Sequence, residues 1–191
     1  SGMNMETNTG GGLLKGLGRA LSGDTLFLNF FTAQSDNEQI GFSACTPGKI
    51  MPIKLDGSNT IIGQKNAFLA AEDGVEIDIY FKKKIGVGLF GGEGFIMQRI
   101  SGNGMVFLEI DGHCKEYTLG AGETILVDTG HLAAMSETCT MDIETVKGAK
   151  NIFFGGEGLF LTKLVGPGKV ILQTQNFNEF AGRIIRMMPS K

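Results

Sequence analysis

The sequence predicts an all-β chain assembled from a repeated unit of roughly sixty residues. Three observations carry that expectation. Phe90-Gly91-Gly92-Glu93-Gly94-Phe95 aligns without a gap on Phe154-Gly155-Gly156-Glu157-Gly158-Leu159, and the same shift of 64 residues pairs Ile100 with Leu164, Gly104 with Gly168 and Leu108 with Leu172. Apolar and charged residues alternate with period two in Val75-Glu76-Ile77-Asp78 and Met141-Asp142-Ile143-Glu144. That spacing sets one face on a core and the other toward water. Thirty glycines against four prolines, without a collagen period, indicate many tight turns and bulges.

Taken along the chain, Met3-Asn4-Met5-Glu6 reads as a strand matching Met141–Glu144, so the chain is expected to open on the last strand of a unit. Leu13–Leu21 is a short helical candidate, with Leu13, Leu14, Leu17 and Leu21 on one side and Lys15 and Arg19 elsewhere. A weaker third copy starts at Gly23-Asp24-Thr25-Leu26-Phe27, and the polar stretch Gln34–Gln39 reads as a long hairpin loop. Phe68-Leu69-Ala70-Ala71 matches His131-Leu132-Ala133-Ala134, which makes His131 the partner of Phe68 and a partly buried residue. Gly102-Asn103-Gly104 and Gly166-Pro167-Gly168 read as hairpin connections. Phe177–Ile185 is a second short helix. The result is a single domain, 1–191, with units near 23–85 and 90–150 and a split unit made of 154–191 plus 1–22. A split unit is what a closed ring of three requires, because the two termini then pair with each other.

Composition narrows the function. Charged residues are 19% and the formal net charge is −3, which gives no attractive field for a polyphosphate, so no nucleic-acid partner is expected. Hydrophobic residues are 42%, enough to fill a core. Cys45, Cys114 and Cys139 are an odd, widely spaced set and read as free thiols in a reducing compartment. With no apolar run of spanning length and no signal-peptide pattern, a cytoplasmic location is expected.

No nucleophile elbow, triad spacing or HExxH pattern occurs, so no catalytic residue is assigned and the chain is read as leaning away from enzymes. No cofactor is assigned either. The metal question is left open. Glu93, Glu157 and Asp24 hold equivalent places in the three units, where a shared axis would need a cation, protons or bonded partners; each carboxylate is expected to accept hydrogen bonds within its own glycine turn. His113 and His131 offer no His-x-His, and His113 and Cys114 point to opposite faces of a strand. Lys82-Lys83-Lys84 reads as a solvated strand end. The leading expectation is a non-enzymatic binding or scaffold module that self-associates or takes a protein partner. The alternative is small-molecule or metal binding inside the β-barrel. Membrane-surface contact through Leu13–Leu21 is the lesser reading.

The glycine motifs also carry a resemblance. Gly-Gly-Gly-Leu-Leu-Lys-Gly-Leu-Gly-Arg-Ala-Leu-Ser-Gly-Asp at 10–24, Leu-Phe-Gly-Gly-Glu-Gly-Phe at 89–95, Val-Asp-Thr-Gly-His-Leu-Ala-Ala at 127–134 and Gly-Glu-Gly-Leu at 156–159 resemble the altered-inheritance-of-mitochondria, or mitochondrial biogenesis, family. The resemblance implies a double-stranded β-helix similar to that of the trp RNA-binding attenuation protein, with a pseudo-threefold internal repeat. It implies no catalytic residues. It implies a prokaryotic member of unknown function, whose relatives start with a further stretch ahead of the segment that begins here at Ser1.

Overall fold

Antiparallel pairing accounts for nearly all of the regular backbone. The computed structural model describes residues 2–9, 27–85, 93–145 and 160–189. Its strands are β1 (Met3–Thr9), β2 (Phe27–Ala33), β3 (Gly48–Asp56), β4 (Ile61–Gln64), β5 (Phe68–Ala71), β6 (Val75–Lys83) and β7 (Phe95–Asp111). They are followed by β8 (Cys114–Leu119), β9 (Thr124–Asp128), β10 (Leu132–Ser136), β11 (Thr140–Thr145), β12 (Phe160–Val165) and β13 (Gly168–Gln173). One α-helix, α1 (Phe177–Met187), closes the described chain. The chain is therefore mostly β, as its alternating pattern predicts.

Eight strands form one curled sheet in the order β3-β7-β4-β10-β13-β8, with β5 and β6 also paired to β7. β11-β12-β9 and β1-β2 are separate sheets. Two apolar clusters fill the interior. Ile62, Phe95, Met97 and Leu132 belong to one, and Leu55, Ile100, Leu108 and Ala134 to the other.

β7 is the backbone of this arrangement, and it overturns one expectation. Gly102-Asn103-Gly104 is not a hairpin. β7 runs through it as one strand of 17 residues. Its first half pairs with β4 and β6, and its second half with β3 and β5. Gly102 and Gly104 have φ of 103° and 142°, which L side chains rarely adopt, so the strand bends and changes partners without reversing. Gly166-Pro167-Gly168 is not a hairpin either, because β12 and β13 lie in different sheets. Residues 34–39 likewise do not join a hairpin: β2 pairs with β1, and β3 with β7.

The pairings recur at one constant offset of sixty-four residues. Ile61↔Ile100 recurs as Ile125↔Leu164, and Ile77↔Ile100 as Met141↔Leu164. Phe68↔Leu108 recurs as Leu132↔Leu172, with a bulge directly after it in both places. Ile50↔Glu109 recurs as Cys114↔Gln173. Even side-chain caps follow: Met105 N–H donates to Glu72 Oε2 at 2.8 Å, and Lys169 N–H to Ser136 Oγ at 3.0 Å. This offset corrects two alignments. Ala67, not Phe68, stands where His131 stands, and Ile77, not Val75, stands where Met141 stands. Slips of one or two residues are easy to make where small and apolar residues recur; hydrogen-bond register removes the ambiguity.

Met3–Thr9 is a strand, paired with β2 as β11 is with β12. The Leu13–Leu21 candidate lies outside the described residues. The C-terminal helix forms and runs two residues further than the pattern suggests. Asn176 caps it, Oδ1 accepting from Asn178 N–H at 3.1 Å, and no residue along it is buried.

All three cysteines are free. Cys139 is fully buried, and burial pushes its thiol pKa up; burial, aided by Glu116, raises Cys114 too. Cys45 is exposed. Iodoacetamide at neutral pH should therefore label Cys45 first, Cys114 slowly and Cys139 only after unfolding. Peptide mapping by mass spectrometry checks the order, and early labelling of Cys139 would contradict this packing.

Candidate functional site

The corner between β9 and β10 gathers polar groups that the β-pattern alone does not require. Asp128 ends β9, and Thr129–His131 makes one 3₁₀ turn before β10. Asp128 Oδ1 accepts from Gly130 N–H at 2.9 Å, which caps that turn. Thr129 is buried; its hydroxyl donates to the Phe160 carbonyl at 2.9 Å and accepts from Thr162 Oγ1 at 3.0 Å.

Gln173, at the end of β13, ties this corner to its neighbours. Its Oε1 accepts from Asp111 N–H at 3.2 Å, and its Nε2 donates to the Gly130 carbonyl at 3.0 Å. Its main-chain oxygen lies 2.8 Å from His131 Nδ1. A carbonyl can only accept, so Nδ1 carries a proton, and Nε2 is the ring nitrogen left for a further partner.

The start of α1 covers the turn. Gly130 fits there because it has no side chain: a Cβ would sit 1.8 Å from Asn176 Nδ2. Asn176 and Glu179 hold the N-cap and third helical positions, the spacing of a capping box. The outcome is a cluster in which the ligating atoms of Asp128, His131 and Glu179 lie within 4.8 Å of one another, each residue half-buried. Asp128 and His131 stand together inside the 127–134 motif, so a carboxylate and an imidazole three residues apart around a glycine were visible in the sequence. Glu179 was not, since nothing local links it to that motif.

The carboxylates singled out from sequence fare differently. Glu93 is exposed, its side chain 67% accessible, and it pairs with the Lys65 ammonium. That partner, rather than an N–H of its own glycine turn, holds its carboxyl below the usual range. Glu157 and Asp24 lie outside the described residues. His113 is exposed and stays apart from the cluster. In the basic run, Lys83 is not purely solvated: its Nζ donates to the Ile143 carbonyl at 2.9 Å. No helix among the described residues is long and apolar enough to cross a membrane.

Fold and site define a mostly β module on a curled antiparallel sheet, with a carboxylate–imidazole cluster at one corner. The chain belongs to the mitochondrial biogenesis AIM24 family, whose model matches residues 1–175. It is 31% identical over 184 residues to an uncharacterized protein of Streptococcus pyogenes serotype M6, covering 94% of this chain and 71% of that one. An X-ray crystal structure of a Streptococcus pyogenes protein has the same fold, with a TM-score of 0.70 and 25% identity over 97% of this chain and 83% of that one. The relatives carry no assigned activity.

Proposed function

We propose that this chain is a non-enzymatic scaffold module that assembles with further copies of itself through the free edges of β9 and β5. The observation that carries this is an interface present once within the chain and left open at its counterpart. β4 pairs with β10 through Gly63↔Ala134, Ile62↔Met135 and Ile61↔Ser136, and that contact leaves Ile62 0% and Met135 1% exposed. At the constant offset, β9 is the counterpart of β4 and β5 the counterpart of β10. Among the described residues β9 pairs only with β12, and β5 only with β7. Leu126, the counterpart of Ile62, is 57% exposed, and all four β5 residues are half-buried where their β10 counterparts are buried.

An apolar edge strand with open N–H and C=O groups is a template for another strand. Among the described residues neither β1–β2 nor α1 supplies a third strand of the β4 or β10 type, whereas a second copy carries a strand of each type and fits both edges. The contact is head-to-tail, which builds a ring or a filament according to its rotation. The internal repeat and the closed double-stranded β-helix of pseudo-threefold form belong to this same reading, with the split unit as an element of closure.

The internal pairing sets the register expected between copies: Ala70 opposite Val127, Ala71 opposite Leu126, Glu72 opposite Ile125. In a Cys45→Ser, Cys114→Ser background, Ala71→Cys with Leu126→Cys should form disulfide-linked oligomers on mild oxidation. Leu126→Lys should keep the fold and weaken association about tenfold or more, the scale of losing one buried leucine. Light scattering that finds a monomer at every concentration, or cross-linking no greater than in the single-cysteine variants, overturns the proposal.

A further inference from the structure

We infer that Asp128, His131 and Glu179 form a binding site for a divalent transition-metal cation of the zinc class. The cluster joins one imidazole to two carboxylates, all within 4.8 Å. Neither carboxylate has a lysine or arginine partner among the described residues, so two negative charges face each other across a half-buried corner. That is unfavourable unless a cation or a proton intervenes.

Nε2 is the nitrogen through which the histidine would coordinate. The Nδ1–H is committed to the Gln173 carbonyl at 2.8 Å, which fixes the ring and leaves Nε2 as the nitrogen open to a cation. Metal-bound histidines regularly have this second bond, because it selects the tautomer and raises the basicity of the ligating nitrogen. Asp128 spends Oδ1 on the turn and retains its second oxygen.

A separate observation points to a ligand here. Asn176 is 7% exposed, and its Nδ2 is a buried donor with no partner. Its Oδ1 is fixed by the α1 cap, so the amide cannot turn Nδ2 away without losing that bond. Nδ2 and Asp128 Oδ1 lie round the same point above Gly130, 1.8 Å and 3.5 Å from where a Cβ would be. An orphaned buried N–H costs about 1–3 kcal/mol and needs an acceptor, which a hydroxide or other anionic ligand completing the coordination of a cation would supply.

The chain also carries its own comparison. At the constant offset, Gln64 and Ala67 replace Asp128 and His131, and Lys65–Ala67 still makes the same 3₁₀ turn with no side-chain cap. The turn does not need an acid or an imidazole to fold. Those two residues at the second corner are an addition to the scaffold. One nitrogen and two carboxylate oxygens suit Zn²⁺, Co²⁺ or Mn²⁺, whereas Ca²⁺ takes oxygen ligands throughout.

The test is titration of the full chain with ZnCl₂, and separately with CoCl₂ and CaCl₂, followed by calorimetry and by thermal melts. One equivalent of Zn²⁺ should bind and raise Tm, Co²⁺ should give a visible d–d absorption, and Ca²⁺ should do neither. The double variant Asp128→Gln, His131→Ala copies the corner at Gln64 and Ala67, so it should fold. It should lose the Co²⁺ band and weaken Zn²⁺ binding by about 100-fold or more, beyond the 10- to 100-fold typical of losing even an outer-shell partner. His113→Ala should change nothing. Absence of saturable Zn²⁺ binding to the wild-type chain, or binding undiminished in the folded double variant, overturns the assignment.

Discussion

Gly102→Ala should lose about 3 kcal/mol or more of folding stability, seen as a fall in the urea midpoint at unchanged slope. Two costs combine. The residue has φ of 103°, a region that costs any L side chain about 1–3 kcal/mol. In addition, a Cβ would lie 2.2 Å from the Gly74 carbonyl oxygen, a backbone atom that cannot rotate aside. That oxygen also accepts from Asn103 N–H at 3.0 Å, so moving it disturbs the bend it secures. Since a domain of this kind has about 5–15 kcal/mol in total, such a loss removes much of its margin. Gly41→Ala is the control: nothing lies within 4 Å of its Cβ position, and its effect should stay within about 0.5 kcal/mol. Equal, small effects for the two substitutions would mean that β7 tolerates a different path at the bend.

Gln173→Leu should destabilise the chain by about 2–4 kcal/mol. Leucine is close to glutamine in size and suits a buried position, so packing is not the main loss. The loss comes from two groups left behind: the Asp111 N–H, which now donates to Oε1, and the Gly130 carbonyl, which now accepts from Nε2. Each buried group without its partner costs about 1–3 kcal/mol. His131 bonds the main-chain oxygen of Gln173 and not its side chain, so the imidazole keeps its anchor. Thermal and urea melts of Gln173→Leu beside wild type give the measurement. A Gln173→Leu variant as stable as wild type would show that these two backbone groups have other acceptors and donors within reach.

Strands and the C-terminal helix were legible because their cause is local. Alternation in Val75–Asp78 and Met141–Glu144 reports a two-faced strand wherever it occurs. Phe177–Ile185 reads as a short helix on its own, while its Asn176 cap came from the structure. The glycine pairs were legible as special backbone positions, but their role was not. A turn and a bend use the same residues, and only the partner strands distinguish them: β3, β4, β5 and β6 all line up along β7, so extending it satisfies more hydrogen bonds than reversing it.

Glu93 was the acid that stood out, because it sits in a recurrent motif, and it pairs with a lysine at the surface. The cluster formed elsewhere, around an Asp-Thr-Gly-His stretch whose partner Glu179 arrives on α1. By itself the sequence determined that the chain is mostly β, that a helix starts at Phe177, and that its glycine motifs recur sixty-four residues apart. Tertiary structure alone decided which edges are covered and which acid meets His131. Periodicity acts between neighbours along the chain, whereas β9, β13 and α1 come together only when strands distant in sequence pair.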